Sequence, residues 1–351
     1  VIRLGIVGCN YGRTVHLPAF RADPRCEVVA LAGTDPERTA ALARAAQIPH
    51  AFGEWRQLIE HVALDAITIA TPPRVQPTIA AAALARGLAV FAEKPLATNI
   101  NDAAEIVRLA QDSGRPTMMD FNFSEIAAWR KARELLMGGA IGPLRHAIVT
   151  WNVENYSTRM RIKNWKTSGQ DGGGALGNFI SQSFHYLEWF CGPIAGLSAR
   201  TAALPADPEM ETTVVLTLAF RSGAAGSLAM SCASYLGSGH RLEFYGEDGA
   251  LMLVNATSDY MRGFTLSHGR RPATTLTPVV VVDPLDADFP VDGRIAPVAR
   301  LAKRFLDAIE RGETGVKPGF AEGLRVQHLL DSARRSDAEG RWIDVPAGVV
   351  P

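Results

Sequence analysis

Four stretches of the sequence carry residue types at spacings suited to chemistry. The first is Gly8-Cys9-Asn10-Tyr11-Gly12-Arg13, which follows the apolar run Ile2–Val7. It is a degenerate form of the G-x-G-x-x-G/A fingerprint that cradles a dinucleotide. Gly8 serves the tight turn. Asn10 stands where the second glycine lets the backbone approach a pyrophosphate, and Asn tolerates left-handed dihedrals better than most residues. Gly12 offers a further close approach one position early. A predicted helix, Arg13–Arg21, would hold a phosphate on its N-terminal N–H groups and dipole, with Tyr11 and Arg13 beside it. An ordinary strand–helix turn is the competing reading.

The second stretch ends the next predicted strand, Leu31-Ala32-Gly33-Thr34-Asp35. An acid there binds the adenosine ribose hydroxyls and favours NAD. In the preferred register that position is Gly33, and Asp35 caps a helix. Thr34 and Arg38 then face a 2′-phosphate, which favours NADP. If Asp35 reaches the ribose instead, the preference reverses to NAD.

The third comprises Ala70-Thr71-Pro72-Pro73 and Phe91-Ala92-Glu93-Lys94-Pro95-Leu96. Each follows a predicted strand, so Thr71, Pro72, Glu93 and Lys94 stand at the carboxyl edge of a sheet, where ligands bind. A turn closed by Pro95 would aim Lys94 into the cleft; a solvated lysine is the plain alternative. The fourth is a predicted helix, Ala175–Cys191, in which Asn178, Gln182 and His185 fall at i, i+4 and i+7 and share a face. Ile180, Phe184, Leu187 and Cys191 form an apolar stripe that should face the core.

The elements that must position these residues follow from hydrophobic periodicity. Ile2–Val7, Val28–Ala32, Ala66–Ala70, Ala89–Ala92 and Thr117–Met119 are short, almost wholly apolar strands, as expected when both faces are buried. Helical patterns at Pro36–Ala46, Glu54–Glu60, Arg74–Arg86 and Asn101–Ser113 alternate with them, which predicts an N-terminal Rossmann-type, doubly wound parallel α/β sheet. After a helix at Glu125–Met137, strands dominate: Leu144–Val153, Leu197–Thr201, Thr212–Arg221, Gly226–Ser234 and Arg241–Phe244. Turns at Arg221-Ser222-Gly223 and Gly246-Glu247-Asp248-Gly249 suggest hairpins. Helices at Pro297–Arg311 and Ala321–Ser336 close the chain. The expected architecture is a dinucleotide-binding domain over residues 1–121 and an α+β domain with a large, mostly antiparallel open sheet over 122–351.

Composition narrows the function. The 351 residues are 47% hydrophobic and 21% charged, enough for a sizeable core. Lys+Arg and Asp+Glu both total 36, so the basic excess of a nucleic-acid binder is missing. No apolar run approaches the roughly 18–20 residues of a spanning helix, and the start at Val1–Gly8 lacks the features of a signal peptide. The four cysteines show no CxxC pair and the eight histidines are scattered, so no disulfide framework or metal cluster is expected. No G-x-S-x-G elbow appears. A reduced, cytoplasmic protein that needs neither membrane nor nucleic acid is the simplest expectation.

The combination of motifs resembles the glucose–fructose oxidoreductase / inositol dehydrogenase / rhizopine catabolism (Gfo/Idh/MocA) oxidoreductases over nearly the whole chain. Its marks are the glycine loop with Val15-His16-Leu17-Pro18-Ala19-Phe20, Thr71-Pro72-Pro73, Glu93-Lys94-Pro95, and Gly172-Gly173-Gly174-Ala175-Leu176 before a helix. The resemblance implies a nicotinamide cofactor, a sugar-like substrate, and a dimer or tetramer formed through the C-terminal sheet. It also implies that Lys94 contacts both the nicotinamide ribose and the substrate, that Trp165-Lys166 lies near cofactor and substrate, and that Asn122 bonds the nicotinamide end.

Departures from the family pattern matter chemically. Where the family motif resembles G-G-G-x-L-x-D-x-G-x-H-x-x-D, this chain has Asn178, Gln182 and His185; Gln76 stands where the family often has His. Oxidising a hydroxyl requires an acceptor for its proton, which histidine provides near neutral pH. A glutamine amide can bond the hydroxyl but cannot take the proton. Lys94 is therefore the preferred proton donor or acceptor, with Gln182 and Asn178 orienting substrate. His185 is either a displaced acid/base or a buried histidine. The basic loop Arg159-Met160-Arg161-Ile162-Lys163-Asn164-Trp165-Lys166 either meets an anionic or nucleotide-linked sugar or is simply an exposed charged loop. The expected function is NADP-preferring hydride transfer at a sugar hydroxyl or carbonyl carbon. The alternatives are an NADP-sensing regulator without catalysis, and an oxidoreductase of a dihydrodiol or tetrapyrrole.

Overall fold

Strands rich in small and β-branched apolar residues build the first sheet: β1 (Ile2–Val7), β2 (Cys26–Ala32), β3 (His50–Phe52), β4 (Ala66–Ile69), β5 (Ala89–Ala92) and β6 (Thr117–Met119). A computed structural model describes residues 1–204 and 207–347. In it the six strands run parallel in the order β3-β2-β1-β4-β5-β6. β4, β5 and β6 are buried at every residue, as helices on both faces require. The order reverses between β1 and β4, the switch point where such sheets open a crevice at their carboxyl ends. The expected parallel sheet is thus present. The three-residue edge strand β3 has too few residues to show a period. The first connection also differs from a regular helix: Gly12–His16 wind as a wide π-type turn before the α-helix Leu17–Arg21. Asp35 caps helix Pro36–Ala45, accepting the Arg38 N–H at 3.0 Å.

The second sheet contains β7 (Leu144–Asn152), β8 (Ile194–Leu204), β9 (Asp207–Phe220), β10 (Ala225–Ser231), β11 (Gly239–Gly246), β12 (Gly249–Asn255), β13 (Thr265–Arg270), β14 (Thr277–Val279) and β15 (Ile343–Asp344). Their order is β14-β13-β12-β11-β7-β10-β9-β8-β15, antiparallel throughout except for the parallel pair β7 and β10. The two expected hairpins join β9 to β10 and β11 to β12. Ala147, Val149 and Trp151 alternate inward on β7. No strand is predicted separately for β12–β15, although Leu251–Val254 of β12 is a plain apolar run after the second turn; β14 and β15 are only three and two residues long.

The described chain divides into two compact units, one formed by 1–122 with 294–327 and the other by 123–293 with 328–347. In the first, helix Ile295–Arg311 brings Phe305 edge-on to Phe20 and Phe91, with ring centroids 6.3 and 5.8 Å away. In the second, helix Ser181–Cys191 is preceded by a wide turn over Leu176–Ile180. That turn shifts Asn178 out of regular α-helical phase with Gln182 and His185. The helix is buried on every side from Ile180 to Leu187, so its polar stripe lies in the interior rather than opposite a core-facing stripe. No helix among the described residues is long and apolar enough to cross a membrane.

Candidate functional site

Gly8 ends β1 with φ +121°, and a Cβ there would stand 2.3 Å from the Ala70 carbonyl oxygen. Only glycine permits the ends of β1 and β4 to pass so closely. Gly8→Ala is expected to cost at least about 2–3 kcal/mol from backbone strain and overlap. Thermal unfolding should show a clear loss in Tm, and nicotinamide dinucleotide affinity should fall with it; an unchanged Tm would contradict this account of the loop.

Around the loop, Asn10 Oδ1 accepts a hydrogen bond from Arg38 Nη2 at 2.8 Å. Gly33 has no space for a side chain, since its Cβ position is 2.5 Å from both Cys9 Sγ and Thr39 Oγ1. Thr34 is exposed beside it, and Asp35 is committed to its helix cap. Arg13 Nε and Thr71 Oγ1 are buried and make no hydrogen bond among the described residues. Asn122 Nδ2 donates to the Tyr11 hydroxyl at 3.1 Å, and the Arg294 guanidinium lies 5.4 Å from the Tyr11 ring centre. A glycine turn with no room for a Cβ, buried donors awaiting an acceptor and a cation beside the loop fit the phosphates and riboses of a dinucleotide. Sequence reasoning did not single out Arg294, which enters from a distant part of the chain.

The Glu-Lys-Pro turn is held from two sides. The amide Nε2 of Gln76 donates to the carbonyl oxygens of Glu93 and Pro95 at 2.9 and 2.7 Å, bracketing Lys94; the Lys94–Pro95 peptide is cis. From within, His16 Nε2 lies 3.2 Å from Glu93 Oε1 and 3.4 Å from Asp120 Oδ2, while its Nδ1 meets Thr68 Oγ1 at 3.0 Å. The side chains of His16 and Asp120 are fully buried and that of Glu93 is 16% exposed. Burial opposes the charge on His16, yet hydrogen bonds to Asp120 and Glu93 outweigh it and hold the imidazole at about 9. Burial, and then the charge of Glu93, push Asp120 up to about 8. Glu93 stays below the usual carboxylate range: burial opposes its charge, but His16 and the Lys94 ammonium outweigh that. The scattered histidines and acids of the sequence therefore do include one tight group, with ligand-type atoms all within 4.8 Å of one another. Spacing alone could not reveal it.

In the second unit, Gly173 passes under the Trp165–Thr167 turn, where a Cβ would come within 2.0 Å of the Trp165 carbonyl oxygen. Lys166 lies 5.9 Å from the Trp165 ring centre and is exposed, as are Arg159, Arg161 and Lys163. Glu211 accepts the Leu176 N–H at 3.2 Å and fastens the start of the segment that carries Asn178 and Gln182. Gln182 is buried and Asn178 half-buried. Burial pushes His185 down to about 3, so it is neutral across the physiological range.

A Rossmann sheet with this glycine loop, followed along the chain by a mostly antiparallel second sheet, is an arrangement that fits an NAD(P)-binding oxidoreductase. The chain belongs to the GFO/IDH/MocA oxidoreductase family: the NAD-binding Rossmann domain of that family matches residues 2–121, and its C-terminal domain matches residues 129–252. An uncharacterized oxidoreductase of Synechocystis sp. is 29% identical over 363 aligned positions, covering 98% of this chain and 96% of the relative. A D-apiose dehydrogenase of Paraburkholderia graminis is 25% identical, over 97% of this chain and 88% of its own. Levoglucosan dehydrogenase, solved in complex with NADH and levoglucosan, superposes with a TM-score of 0.87 at 21% identity, covering 98% of this chain and 99% of that one.

Proposed function

We propose that the protein is an NADP-preferring oxidoreductase that transfers hydride to or from a hydroxyl or carbonyl carbon of a sugar or sugar derivative. The observation that carries this reading is the anchored Glu-Lys-Pro turn: Gln76 holds the carbonyls on either side of Lys94, beside a glycine loop fitted to a dinucleotide. A bound nicotinamide supplies or accepts the hydride. Gly8, Asn10, Tyr11, Gly12, Arg13, Thr71, Pro72, Glu93, Asn122 and Trp165 serve the coenzyme in this reading. Gly33, Thr34 and Arg38 select it. Lys94 holds or takes the proton at the substrate oxygen. Asn178, Gln182 and Lys166 hydrogen-bond the substrate. His185, buried and neutral, orients groups beside it rather than carrying charge.

Two observations support the coenzyme choice: the acid position is a glycine with no room for a carboxylate, and Asp35 is engaged as a cap. The NADH named with the solved relative favours NAD as the second reading. A homo-oligomer through the second sheet completes the proposal; Val215 and Tyr245 are 49% and 36% exposed on its open face.

Titration with NADPH and with NADH, followed by quenching of tryptophan fluorescence, tests the reading. Tighter NADPH binding followed by turnover in a screen of ketosugars and sugar alcohols is the expected result. Tighter NADH binding would move the ribose contact to Asp35. Binding without turnover of any carbonyl or hydroxyl substrate would favour a coenzyme-sensing protein, the reading that Gln182 in place of a histidine also fits. Binding of neither would overturn the proposal.

A further inference from the structure

His16, Glu93 and Asp120 come from three segments that all border the coenzyme edge of the first sheet. His16 ends the wide turn after the glycine loop, Glu93 follows β5, and Asp120 follows β6. The backbone ties Asp120 to the residue before Glu93, since the Asp120 N–H bonds the Ala92 carbonyl at 2.8 Å. Tyr11, Phe20 and Phe91 surround the imidazole with ring edges and faces, centroids 5.3, 6.5 and 5.3 Å away, so water contributes little to its solvation. Two carboxylates and an imidazolium in such a place would leave a buried net negative charge. One further proton, shared by the carboxyl groups, removes it. Glu93 and Asp120 each place a carboxylate oxygen on the same imidazole nitrogen, within 4.8 Å of one another, where two buried carboxylates cannot both stay ionised without cost.

We propose that His16, Glu93 and Asp120 are positioning residues that share one buried proton and thereby lock the Glu-Lys-Pro turn in place from inside. The proposal rests on the reading of Lys94 as the group that handles the substrate proton. The lock complements the Gln76 amide, which holds the same turn through its carbonyls. With the proton present, the group is a neutral assembly of imidazolium, carboxylate and carboxylic acid. When the proton leaves, the two carboxylates repel, and the Glu93 anchor beside Lys94 loosens. The charged and titratable groups facing the cluster are Lys94, beside Glu93, and Tyr11, whose ring meets His16 edge-on with Arg294 over it; Thr68 contributes a neutral hydroxyl. The shifts of His16 and Asp120 are both upward. The stability they carry is therefore fully present below the ordinary values of 3.8 and 6.5, and is lost progressively as pH rises from there to about 8 for Asp120 and about 9 for His16.

Asp120→Asn is the informative variant, because an amide imitates the neutral carboxylic acid and cannot lose the proton. The full chain labelled with nitrogen-15 at histidine, with His16 assigned from His16→Gln, reports the imidazole directly. The expected result is a doubly protonated His16 in the unsubstituted protein at pH 7.5. A Tm that falls between pH 7 and 9.5 should become flatter in Asp120→Asn. The alkaline limb of kcat should move up by one pH unit or more in the same variant. A neutral His16 at pH 7.5 would overturn the proposal. So would a uniform loss of kcat in Asp120→Asn with an unmoved pH profile, or a divalent ion recovered at one per chain and lost from that variant. If Asp120→Asn does not fold, the nitrogen spectrum and melting curve of the unsubstituted chain still decide. If no sugar is turned over at all, the functional reading fails, whereas the spectrum and melting curves test the lock independently.

Discussion

Lys94→Ala is expected to lower kcat by roughly a thousandfold, within the range of about 10²–10⁴ for a positioned proton-transfer group. Nicotinamide dinucleotide affinity should change by no more than a few fold. The reason lies in how the turn is held. Gln76 bonds the carbonyls of Glu93 and Pro95, and His16 bonds the Glu93 carboxylate, so the main-chain anchors do not involve the Lys94 side chain. Removing the ammonium therefore takes away chemistry and leaves the loop in place. Stopped-flow turnover combined with fluorescence titration separates the two effects. Retention of full kcat would remove Lys94 from the reaction. A parallel collapse of coenzyme binding and turnover would instead mean that the lysine mainly supports the dinucleotide. Lys94→Arg tests the same point: it keeps the charge but cannot give up its proton, so it should recover little activity.

Arg38→Ala should weaken NADPH binding by roughly 10- to 100-fold, the worth of about 1.5–3 kcal/mol for hydrogen bonds to a charged group. NADH binding should move by less than about threefold, because it lacks the 2′-phosphate that Arg38 is assigned to meet. Asn10 already orients the guanidinium, accepting from Nη2 at 2.8 Å. Equal changes for both coenzymes would show that Arg38 supports the loop without reading the phosphate. The reverse experiment is instructive too. Gly33→Asp should not create NAD preference by itself, since a Cβ at that position stands 2.5 Å from Cys9 Sγ and Thr39 Oγ1.

The parallel sheet and its candidate ligand edge were legible in the chain because their signals are local. Buried strands read as short apolar runs, and the Asp35-Pro36 start of the next helix is a cap followed by a proline, with Asp35 Oδ1 accepting the Arg38 N–H as that signature requires. Gln76 stood out as a departure from the family pattern, but its role in bracketing Lys94 needed the folded turn. The His16 group was not legible at all. His16 lies 77 residues from Glu93 and 104 from Asp120, and no spacing rule connects them. Nor did helical periodicity anticipate that the Asn178–Gln182–His185 segment starts in a wide turn and is enclosed on every side from Ile180 to Leu187, because a period reports relative faces, not how many of them are covered.

By itself, then, the sequence determined the strand–helix alternation, the glycine turn at Gly8 and the basic composition of the loop at 159–166, each a consequence of neighbouring residues and their dihedral or charge preferences. Tertiary structure alone decided that residues 294–327 return to the first unit, bringing Phe305 against Phe20 and Phe91 and Arg294 over Tyr11. It also decided that one histidine and two acids meet in a water-poor interior. The physical reason is the same in both cases. Burial and charge pairing depend on which distant segments share a space, and only the packed fold sets that.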